Sequence, residues 1–255
     1  FVVAGSSGMT GAAALCAQAA LQSGCGLVTL GIASSLQGIL AQKLTEVMTY
    51  PLYDGQSGGL YKECATALCE FAAKSDTILF GPGLGRSEHI GFLLGELLRT
   101  ARSPVVIDAD GLNALAENIE LLRETECEVV LTPHPGEMAR LCDTTVQAVL
   151  AAPVEFAQQL AADLGACVLL KGATTIIAQG EDVAMNIVGC DGMGTGGCGD
   201  VLTGVIASLM AQGMSTWDAA RVGAFYHGRA GETAQAHLGA RGMTAWDVCD
   251  ALRVE

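Results

Sequence analysis

Short apolar runs alternate with longer segments of mixed polarity in the part of the chain before Pro153. The runs are rich in Val, Ile and Leu, which is typical of buried strands, and the segments between them carry apolar residues at helical spacing. This alternation predicts a parallel sheet covered by helices on both faces. The predicted strands are Val2–Ala4, Leu27–Gly31, Val47–Pro51, Thr77–Phe80, Val105–Asp108 and Val129–Thr132. The predicted helices are Gly11–Gln22, Leu60–Lys74, Ile90–Arg99 and Gly111–Ala116.

The pattern changes after Pro153, where three apolar runs follow one another closely. A predicted helix, Val154–Leu164, precedes them, and Gly180 lies in the turn between the last two runs. Close spacing with a glycine turn is typical of a hairpin, so we expect an antiparallel edge on a mostly parallel sheet. Because no linker divides the sequence, we expect a single α/β domain over residues 1–255. The three strands are Cys167–Lys171, Thr174–Gln179 and Val183–Val188, and the helices after them are Val201–Ala211, Trp217–Gln235 and Thr244–Leu252.

The composition narrows the class of protein. Of the 255 residues, 51% are hydrophobic, and the net charge of −14 argues against nucleic acid as a partner, because phosphate contacts need basic patches. No apolar run reaches the roughly 18 residues of a membrane span. The ten cysteines form no C-x-x-C pair, and the histidines are not spaced with them as zinc ligands would be. We therefore expect reduced cysteines, no zinc site and a cytoplasmic protein.

A glycine-rich loop carries the clearest sign of chemistry. Six glycines lie within Gly189–Gly199, and Asp200 follows them at the start of an apolar helix. The free N–H groups of a helix N-terminus attract anions, phosphate above all. A carboxylate at such a place is repelled by phosphate, so we interpret Asp200 as a general base that takes a proton from a hydroxyl attacking phosphorus. The structural alternative is a glycine-rich turn in which Asp200 caps the helix.

Other candidate residues follow predicted strands, and loops at the carboxyl ends of parallel strands meet at one edge of a sheet. Lys171–Thr175 could bind phosphate through the lysine and the hydroxyls, or could be a turn with a solvated lysine. His134 lies between two prolines, which hold it rigidly at a strand end as a ligand contact or as a polar turn residue. Glu137 favours the N-terminus of the next helix.

Two further loops have more than one interpretation. Asp108 and Asp110 could bind Mg²⁺ through water or could cap the following helix, and we favour a structural or supporting role. The segment Gly5–Ala12 opens a helix and offers a second anion-binding N-terminus, and Gly11 and Ala12 are small enough for a flat ring to lie against them.

Taken together and in chain order, the motifs resemble the bacterial ADP-dependent NAD(P)H-hydrate dehydratases, which belong to the ribokinase-like superfamily. The resemblance covers essentially the whole chain and implies an α/β, ribokinase-like three-layer sandwich. It also implies an enzyme that repairs hydrated NADH or NADPH with ADP (ATP in eukaryotic relatives), together with Mg²⁺. The motifs are Gly5–Ala13, Gly81–Arg86, Asp108–Asn113, Thr132–Glu137, Lys171–Gly172 and Gly196–Asp200.

The resemblance implies phosphorylation of the ring hydroxyl, followed by loss of phosphate. Asp200 would then be the catalytic base. The implied anion hole comprises the N–H groups of Gly196, Gly197, Cys198 and Gly199. The implied ADP site comprises Lys171, Gly172, Ala173, Thr174, Thr175 and Gly199. The implied site for the hydrated dinucleotide comprises Ala12, Gly83, His134 and Asp200. Relatives often carry Ser where Cys198 stands, and we expect the loop geometry to survive this difference because both are small. No side chain is assigned with certainty to a metal.

The resemblance further implies a homo-oligomer, in the family often a tetramer, acting on small molecules and not on nucleic acid or membranes. Many relatives carry an epimerase domain upstream, which is not in this chain. Two other functions stay open: a ribokinase-like kinase of a vitamin precursor, which would leave a stable phosphorylated product, and a nucleotide-binding sensor without turnover. The sequence does not distinguish ADP from ATP, or NADHX from NADPHX.

Overall fold

Residues 1–254 of the chain are described by a computed structural model, in which nine strands form one sheet. The strands are β1 (Val2–Val3), β2 (Thr29–Ala33), β3 (Met48–Leu52), β4 (Ile78–Phe80), β5 (Val105–Ile107), β6 (Val129–Leu131), β7 (Cys167–Leu170), β8 (Thr175–Gln179) and β9 (Asp182–Asn186). Their order in the sheet is β3-β2-β1-β4-β5-β6-β7-β8-β9. All neighbours up to β7 pair in parallel, and β7-β8-β9 pair antiparallel. The predicted mostly parallel sheet with an antiparallel edge is confirmed.

Helices cover both faces of this sheet. They are α1 (Thr10–Gln22), α2 (Gln37–Lys43), α3 (Ala65–Ala72), α4 (Glu88–Thr100), α5 (Asp110–Glu117), α6 (Pro135–Leu141), α7 (Val146–Ala151), α8 (Pro153–Leu164), α9 (Cys198–Ala211), α10 (Thr216–Leu238) and α11 (Ala245–Ala251). Short 3₁₀ turns lie at Ser34–Leu36, Lys62–Cys64, Ile119–Leu122, Asp191–Gly194 and Leu252–Val254. Within residues 1–254, no helix is both long and apolar enough to cross a membrane.

Several predicted boundaries need correction. The helix predicted over Leu60–Lys74 is a 3₁₀ turn followed by the shorter α3. Helices α2 and α7 were not predicted, and α6 was expected only as a helix of unstated length that begins near Glu137. Strand β2 begins at Thr29 because Leu27, which opens the apolar run, lies largely in solvent. Strand β9 ends at Asn186, before the predicted end at Val188. Helix α9 begins three residues earlier than predicted, so that Asp200 lies in its first turn.

The pleat of the strands separates two cores. In β4, the side chain of Leu79 joins the core under α1, α9, α10 and α11, whereas its neighbours Ile78 and Phe80 join the core under α3–α8. The same alternation holds in β5, where Val106 faces the first core and Val105 and Ile107 the second. Because both faces are buried, these strands read as continuous apolar runs, as expected for a parallel sheet.

Helix α9 is buried on every side. Each residue from Val201 to Met210 is buried, because α9 is wedged between the sheet, α1 and α10. Gly204 makes the contact with α1 possible: a β-carbon placed there would overlap the carbonyl oxygen of Cys16 and lie 2.9 Å from the β-carbon of Ala19. The N-terminus of α9 is thereby fixed next to the loops that follow the parallel strands.

Candidate active site at the carboxyl edge of the sheet

The loops after the parallel strands meet, as the sequence predicted. The amide of Gly5, after β1, donates to the carbonyl of Pro82, after β4, at 2.8 Å, and Lys171, after β7, donates its amide to the carbonyl of Pro133 at 2.8 Å. Gly81 has a φ of +133°, and a β-carbon there would overlap the carbonyl oxygen of Asp108. A glycine is therefore required for the loops after β4 and β5 to approach this closely.

A buried ion pair lies at the centre of this edge. The ammonium of Lys171 lies 2.7 Å from Oδ1 of Asp108 and 3.8 Å from Oε2 of Glu137, and both carboxylates are almost completely buried. Burial by itself lowers the pKa of Lys171, but the two carboxylates outweigh it and raise that pKa above its ordinary value. Burial raises the pKa of Glu137, although Lys171 acts in the opposite direction. Lys171 is therefore charged at neutral pH.

Asp200 lies close to this pair but is not bonded to it. Among the described residues, its carboxylate has no hydrogen-bond or ion-pair partner, and it is half-buried. Burial raises the pKa of Asp200 to about 7, the negative charge of Asp108 adds to the rise, and Lys171 opposes it. A free carboxylate with a pKa near neutrality can accept a proton from a substrate hydroxyl at physiological pH.

The N-terminus of α9 presents backbone N–H groups beside Asp200. Gly197 precedes the helix with a φ of +99°, and no side chain caps the first turn. A β-carbon on Gly197 would lie 2.7 Å from Cδ1 of Leu15 and 2.9 Å from the β-carbon of Ala245, so only glycine fits. Without a side-chain cap, the first N–H groups of α9 are available to an anion.

Side chains of α10 form hydrogen bonds with the backbone of the glycine-rich loop, which the sequence did not indicate. Oε1 of Glu232 accepts from the amide of Gly189 at 3.3 Å, and Oε1 of Gln235 accepts from the amide of Gly192 at 3.0 Å. The thiol of Cys190 donates to the carbonyl of Gly231 at 3.2 Å. Two residues of one helix thus fix the course of a loop some forty positions earlier in the chain, a distance too long for any local pattern to reveal.

A cleft of about 530 Å³ opens between this loop, the loop after β7 and α10. Of the predicted nucleotide and anion-hole residues, the structure brings six to the cleft wall and leaves three out. Lys171, Gly172, Ala173, Thr175, Cys198 and Gly199 line the cleft, whereas Thr174, Gly196 and Gly197 do not. Cys198 is buried, and burial raises the pKa of its thiol to about 11, so it stays protonated.

His227 is a residue of the cleft wall that sequence reasoning missed. It is 7% exposed, and its Nε2 has no hydrogen-bond partner in the described part of the chain. Burial lowers the pKa of His227 to about 4, so the imidazole is neutral at physiological pH. A single histidine inside a long helical pattern carries no signal that distinguishes a cleft from a core.

The residues predicted to contact the dinucleotide, Ala12, Gly83 and His134, do not line this cleft. A β-carbon on Gly83 would lie 2.9 Å from that of Ala12, so the loop after β4 touches the start of α1. His134 is the N-cap of α6: its Nδ1 accepts from the amide of Gly136 at 2.9 Å, and Oε2 of Glu137 accepts from the amide of His134 at 2.8 Å. This reciprocal capping box fixes the ring, whose Nε2 lies 3.4 Å from Oε1 of Glu137.

The two aspartates after β5 differ in their contacts. Oδ2 of Asp110 accepts from the amide of Gly85 at 2.8 Å, and Oδ1 accepts from the side chain of Asn113 at 3.2 Å, so both oxygens are engaged. Asp108 uses Oδ1 for Lys171. Among residues 1–254, no group of three or more His, Cys, Asp or Glu side chains is arranged to hold a metal ion.

Comparisons with known proteins identify the family. Residues 1–253 match the family of NAD(P)H-hydrate dehydratases (Carb_kinase). The bifunctional NAD(P)H-hydrate repair enzyme Nnr of Moorella thermoacetica is 45% identical over 251 residues, which are 98% of this chain and 47% of that protein. The ADP-dependent (S)-NAD(P)H-hydrate dehydratase of Neisseria meningitidis serogroup B is 36% identical over 261 residues, covering 99% of this chain and 82% of that one.

A solved structure extends the likeness to three dimensions. The ADP/ATP-dependent NAD(P)H-hydrate dehydratase of Bacillus subtilis, co-crystallised with ATP and Mg²⁺ and soaked with CoA, superposes with a TM-score of 0.83 at 29% identity. The superposition covers 98% of this chain and 88% of that one. The chain spans about half the length of the bifunctional relatives that it matches.

Proposed function

The chain belongs to the NAD(P)H-hydrate dehydratase family, and we propose that it uses ADP to convert hydrated NADH or NADPH back to the intact cofactor. The proposed reaction takes NAD(P)HX and ADP to NAD(P)H, AMP, inorganic phosphate and a proton. The ring hydroxyl first takes a phosphoryl group from ADP, which leaves AMP; phosphate then leaves the ring, the neighbouring ring carbon loses a proton, and the ring double bond forms. Phosphorylation helps because phosphate is a far better leaving group than hydroxide.

Asp200 is the catalytic base of this proposal, and its environment is the observation that carries it. An unpartnered carboxylate whose pKa is raised to about 7 lies beside an uncapped helix N-terminus and next to a cleft. It takes the proton of the ring hydroxyl as the oxygen attacks phosphorus. The N–H groups of the turn from Gly196 to Gly199 stabilise the charge that develops on the transferring phosphoryl group.

The nucleotide occupies the 530 Å³ cleft in this proposal. Its phosphates lie against Gly199 and the loop after β7, and the residues that hold it are Lys171, Gly172, Ala173, Thr174, Thr175 and Gly199. Thr174 is exposed and lies outside the cleft wall, so its place in this proposal rests on the family resemblance. The charged Lys171 serves both the nucleotide and the orientation of Asp108. The hydrated ring lies on the opposite side of Asp200, against Ala12, Gly83 and His134.

Magnesium accompanies the nucleotide in this proposal, since Mg²⁺ binds phosphate oxygens and water together with only one or two carboxylates. The donor set fits this use. Oδ2 of Asp108 has no partner among the described residues, whereas both oxygens of Asp110 are engaged. Asp108 would therefore hold the ion, and the ion would neutralise charge on the phosphates.

We further propose that the chain acts as one domain, in the cytoplasm, within a homo-oligomer, and we favour a tetramer. The family resemblance supports the oligomer. So do large apolar side chains left in solvent at the antiparallel edge, with Ile187 79% exposed, Met185 60% and Phe225 53%. Light scattering during size-exclusion chromatography measures the mass directly, and a monomer at micromolar concentration would contradict the assembly.

The test of the activity is absorbance at 340 nm after the protein is mixed with prepared NADHX, Mg²⁺ and either ADP or ATP. We expect a rise that requires nucleotide, with one inorganic phosphate released for each NADH formed. The nucleotide that gives the faster rise is the natural donor. Repeating the assay with NADPHX gives the preference between the two substrates.

Two results would overturn the proposal. A stable phosphorylated product without phosphate release would indicate a kinase, and a screen of vitamin precursors would then identify its substrate. Nucleotide binding by calorimetry, without turnover of any hydroxyl substrate, would indicate a sensor.

A further inference from the structure

We propose that a second cleft, between the loops at residues 57–61 and 84–89, binds a phosphate group of the dinucleotide substrate, with Arg86 as the cation that contacts it. We call it the Arg86 cleft; its polar lining is Ser6, Ser7, Ser57, Tyr61, Arg86, Ser87 and His89. This inference rests on the proposed function, because it concerns how the same substrate is held away from its reacting ring.

The Arg86 cleft has a volume of about 300 Å³ and lies at the carboxyl edge of the sheet. Its inner wall is continuous with the floor of the candidate active site, because the hydroxyl of Ser6 donates to the carbonyl of Gly83 at 2.8 Å. Gly83 in turn touches Ala12, where the hydrated ring is proposed to lie. A ligand could therefore extend from Asp200 into this cleft along one surface.

The outer wall is held rigidly by a buried carboxylate that the proposed reaction does not use. Asp54, 1% exposed, accepts hydrogen bonds from the hydroxyls of Ser34 and Ser35 and from the amides of Gln56 and Gly58. Burial by itself raises the pKa of Asp54, but these bonds outweigh it and lower that pKa to about 2. Asp54 therefore stays charged and keeps the loop after β3 in one conformation.

The same loop is tied to the first loop of the chain. The amide of Ser7 donates to the carbonyl of Gly58 at 2.7 Å, which closes the cleft on the side of β1. A pocket whose walls are fixed before the ligand arrives loses little conformational freedom on binding. The Arg86 cleft is therefore shaped in the unliganded protein.

Two polar side chains that line this cleft lack partners, the exposed Arg86 and, at one ring nitrogen, the half-buried His89. Within residues 1–254, the guanidinium of Arg86 makes no ion pair or hydrogen bond, although the chain carries a net charge of −14. Nδ1 of His89 is buried without a partner, and its ring stacks on Tyr61 at 4.6 Å between centroids. Arginine presents several N–H donors in a plane and binds phosphate oxygens in pairs. Phosphate is the group that uses these donors best.

The arrangement of strands decides which ligand enters the Arg86 cleft. The nucleotide cleft lies beyond β7, whereas the Arg86 cleft follows β1 and β4, and three strand spacings of about 4.8 Å each separate β4 from β7. If ADP fills the first cleft, the rest of the dinucleotide must leave Asp200 in the opposite direction. That direction leads to Arg86.

The experiment measures binding of NADPH and NADH by fluorescence titration, with ADP at saturation so that the nucleotide cleft is filled. We compare the natural chain with Arg86→Gln and Arg86→Lys. We expect Arg86→Gln to raise the Kd of NADPH about tenfold, since it removes charge-assisted hydrogen bonds, and Arg86→Lys to recover part of the affinity. The matched control is Arg123→Gln, which removes the same charge from an exposed arginine before β6, at the opposite edge of the sheet.

The two dinucleotides distinguish the source of the phosphate. An equal rise in Kd for NADH assigns Arg86 to the pyrophosphate, and a rise for NADPH alone assigns it to the 2′-phosphate. Unchanged Kd values for both, or the same change in Arg123→Gln, would overturn the inference.

The outcome is separable from that of the proposed function. If the natural chain regenerates NADH from NADHX but Arg86→Gln does not change binding, the proposed function stands and the Arg86 inference is overturned. If the natural chain forms no NADH but Arg86→Gln weakens NADPH binding, the proposed function is overturned and the binding role of Arg86 stands.

Discussion

The two faces of the sheet are packed in different ways. Under α1 and α9, the helices meet through small residues: α1 buries six small side chains from Ala13 to Ala20, and Gly204 of α9 lies directly against the α1 backbone. On the opposite face, α4 fills the space with Leu93, Leu94, Leu97 and Leu98. Backbones in contact permit only one helix position, whereas layers of leucine side chains can adjust to small changes.

The difference matters because the groups proposed to carry out catalysis lie at the end of the tightly packed helix. Asp200 and the N–H groups that follow Gly197 belong to α9, so the contact with α1 sets their distance from Lys171 and Asp108. Helix α4, on the opposite face, carries none of these groups. We therefore expect substitutions on the α9 face to change both activity and stability, and those on the α4 face to change stability alone.

The largest expected effect comes from removing the charge at the end of α9. Asp200→Asn keeps the shape of the side chain but cannot accept the hydroxyl proton, so kcat should fall by about 10²–10⁴-fold. Binding of ADP, measured by calorimetry, should change little because the cleft wall is intact. Full turnover in this variant would show that another group is the base.

The pH dependence tests the same carboxylate without a substitution. Burial raises the pKa of Asp200 to about 7, so the base form is lost as the pH falls through that value, and turnover should drop about tenfold for each further pH unit. Folding favours the protonated form, so the stability that this group contributes is present at low pH and is lost as the pH rises through about 7. Asp200→Asn should remove that loss. A flat rate profile between pH 5 and 8 would contradict the assignment.

The contact between α1 and α9 is tested by adding one carbon. In Gly204→Ala, the new methyl group would overlap the carbonyl of Cys16, so one helix has to move. Such overpacking costs about 1–3 kcal/mol, and we expect the melting temperature to fall by about 2–4 °C for each kcal/mol. We also expect kcat to fall at temperatures where the variant is fully folded, because the first turn of α9 shifts. Unchanged kcat in the folded variant would show that Asp200 does not depend on this contact.

The strands and their alternation could be predicted because buried parallel strands have a local signature, and β4 and β5 were placed to within one residue of their ends. The helices that were missed or left without bounds are short and contain no comparable apolar run. Helix α6 begins at Pro135, inside a segment that we interpreted as a rigid turn, because proline suits the first helical position and His134 pairs with Glu137. That signal was present in the sequence and could have been used.

The candidate site was predictable in outline but not in its pairings. Lys171 and the glycine loop follow apolar runs, and Asp200 precedes one, so each could be singled out from the sequence. The bond between Lys171 and Asp108 joins residues 63 positions apart, and it exists because β5, β6 and β7 are neighbours in the sheet. Strand order is a property of the whole fold, so no local pattern predicts which carboxylate meets the lysine. The support of the glycine loop by Glu232 and Gln235 was missed for the same reason.

The smallest expected effect comes from a glycine-to-alanine substitution on the α4 face, the same change as Gly204→Ala. A β-carbon placed on Gly91, in the first turns of α4, meets no atom within 4 Å. Alanine is favoured over glycine inside a helix by about 0.8–1.0 kcal/mol, so Gly91→Ala should raise the free energy of unfolding slightly and leave kcat unchanged. Chemical denaturation of both glycine variants measures the contrast, because the added atom is the same and only the packing differs. A loss of stability in Gly91→Ala as large as in Gly204→Ala would show that the cost at Gly204 comes from replacing a helical glycine and not from the contact with α1.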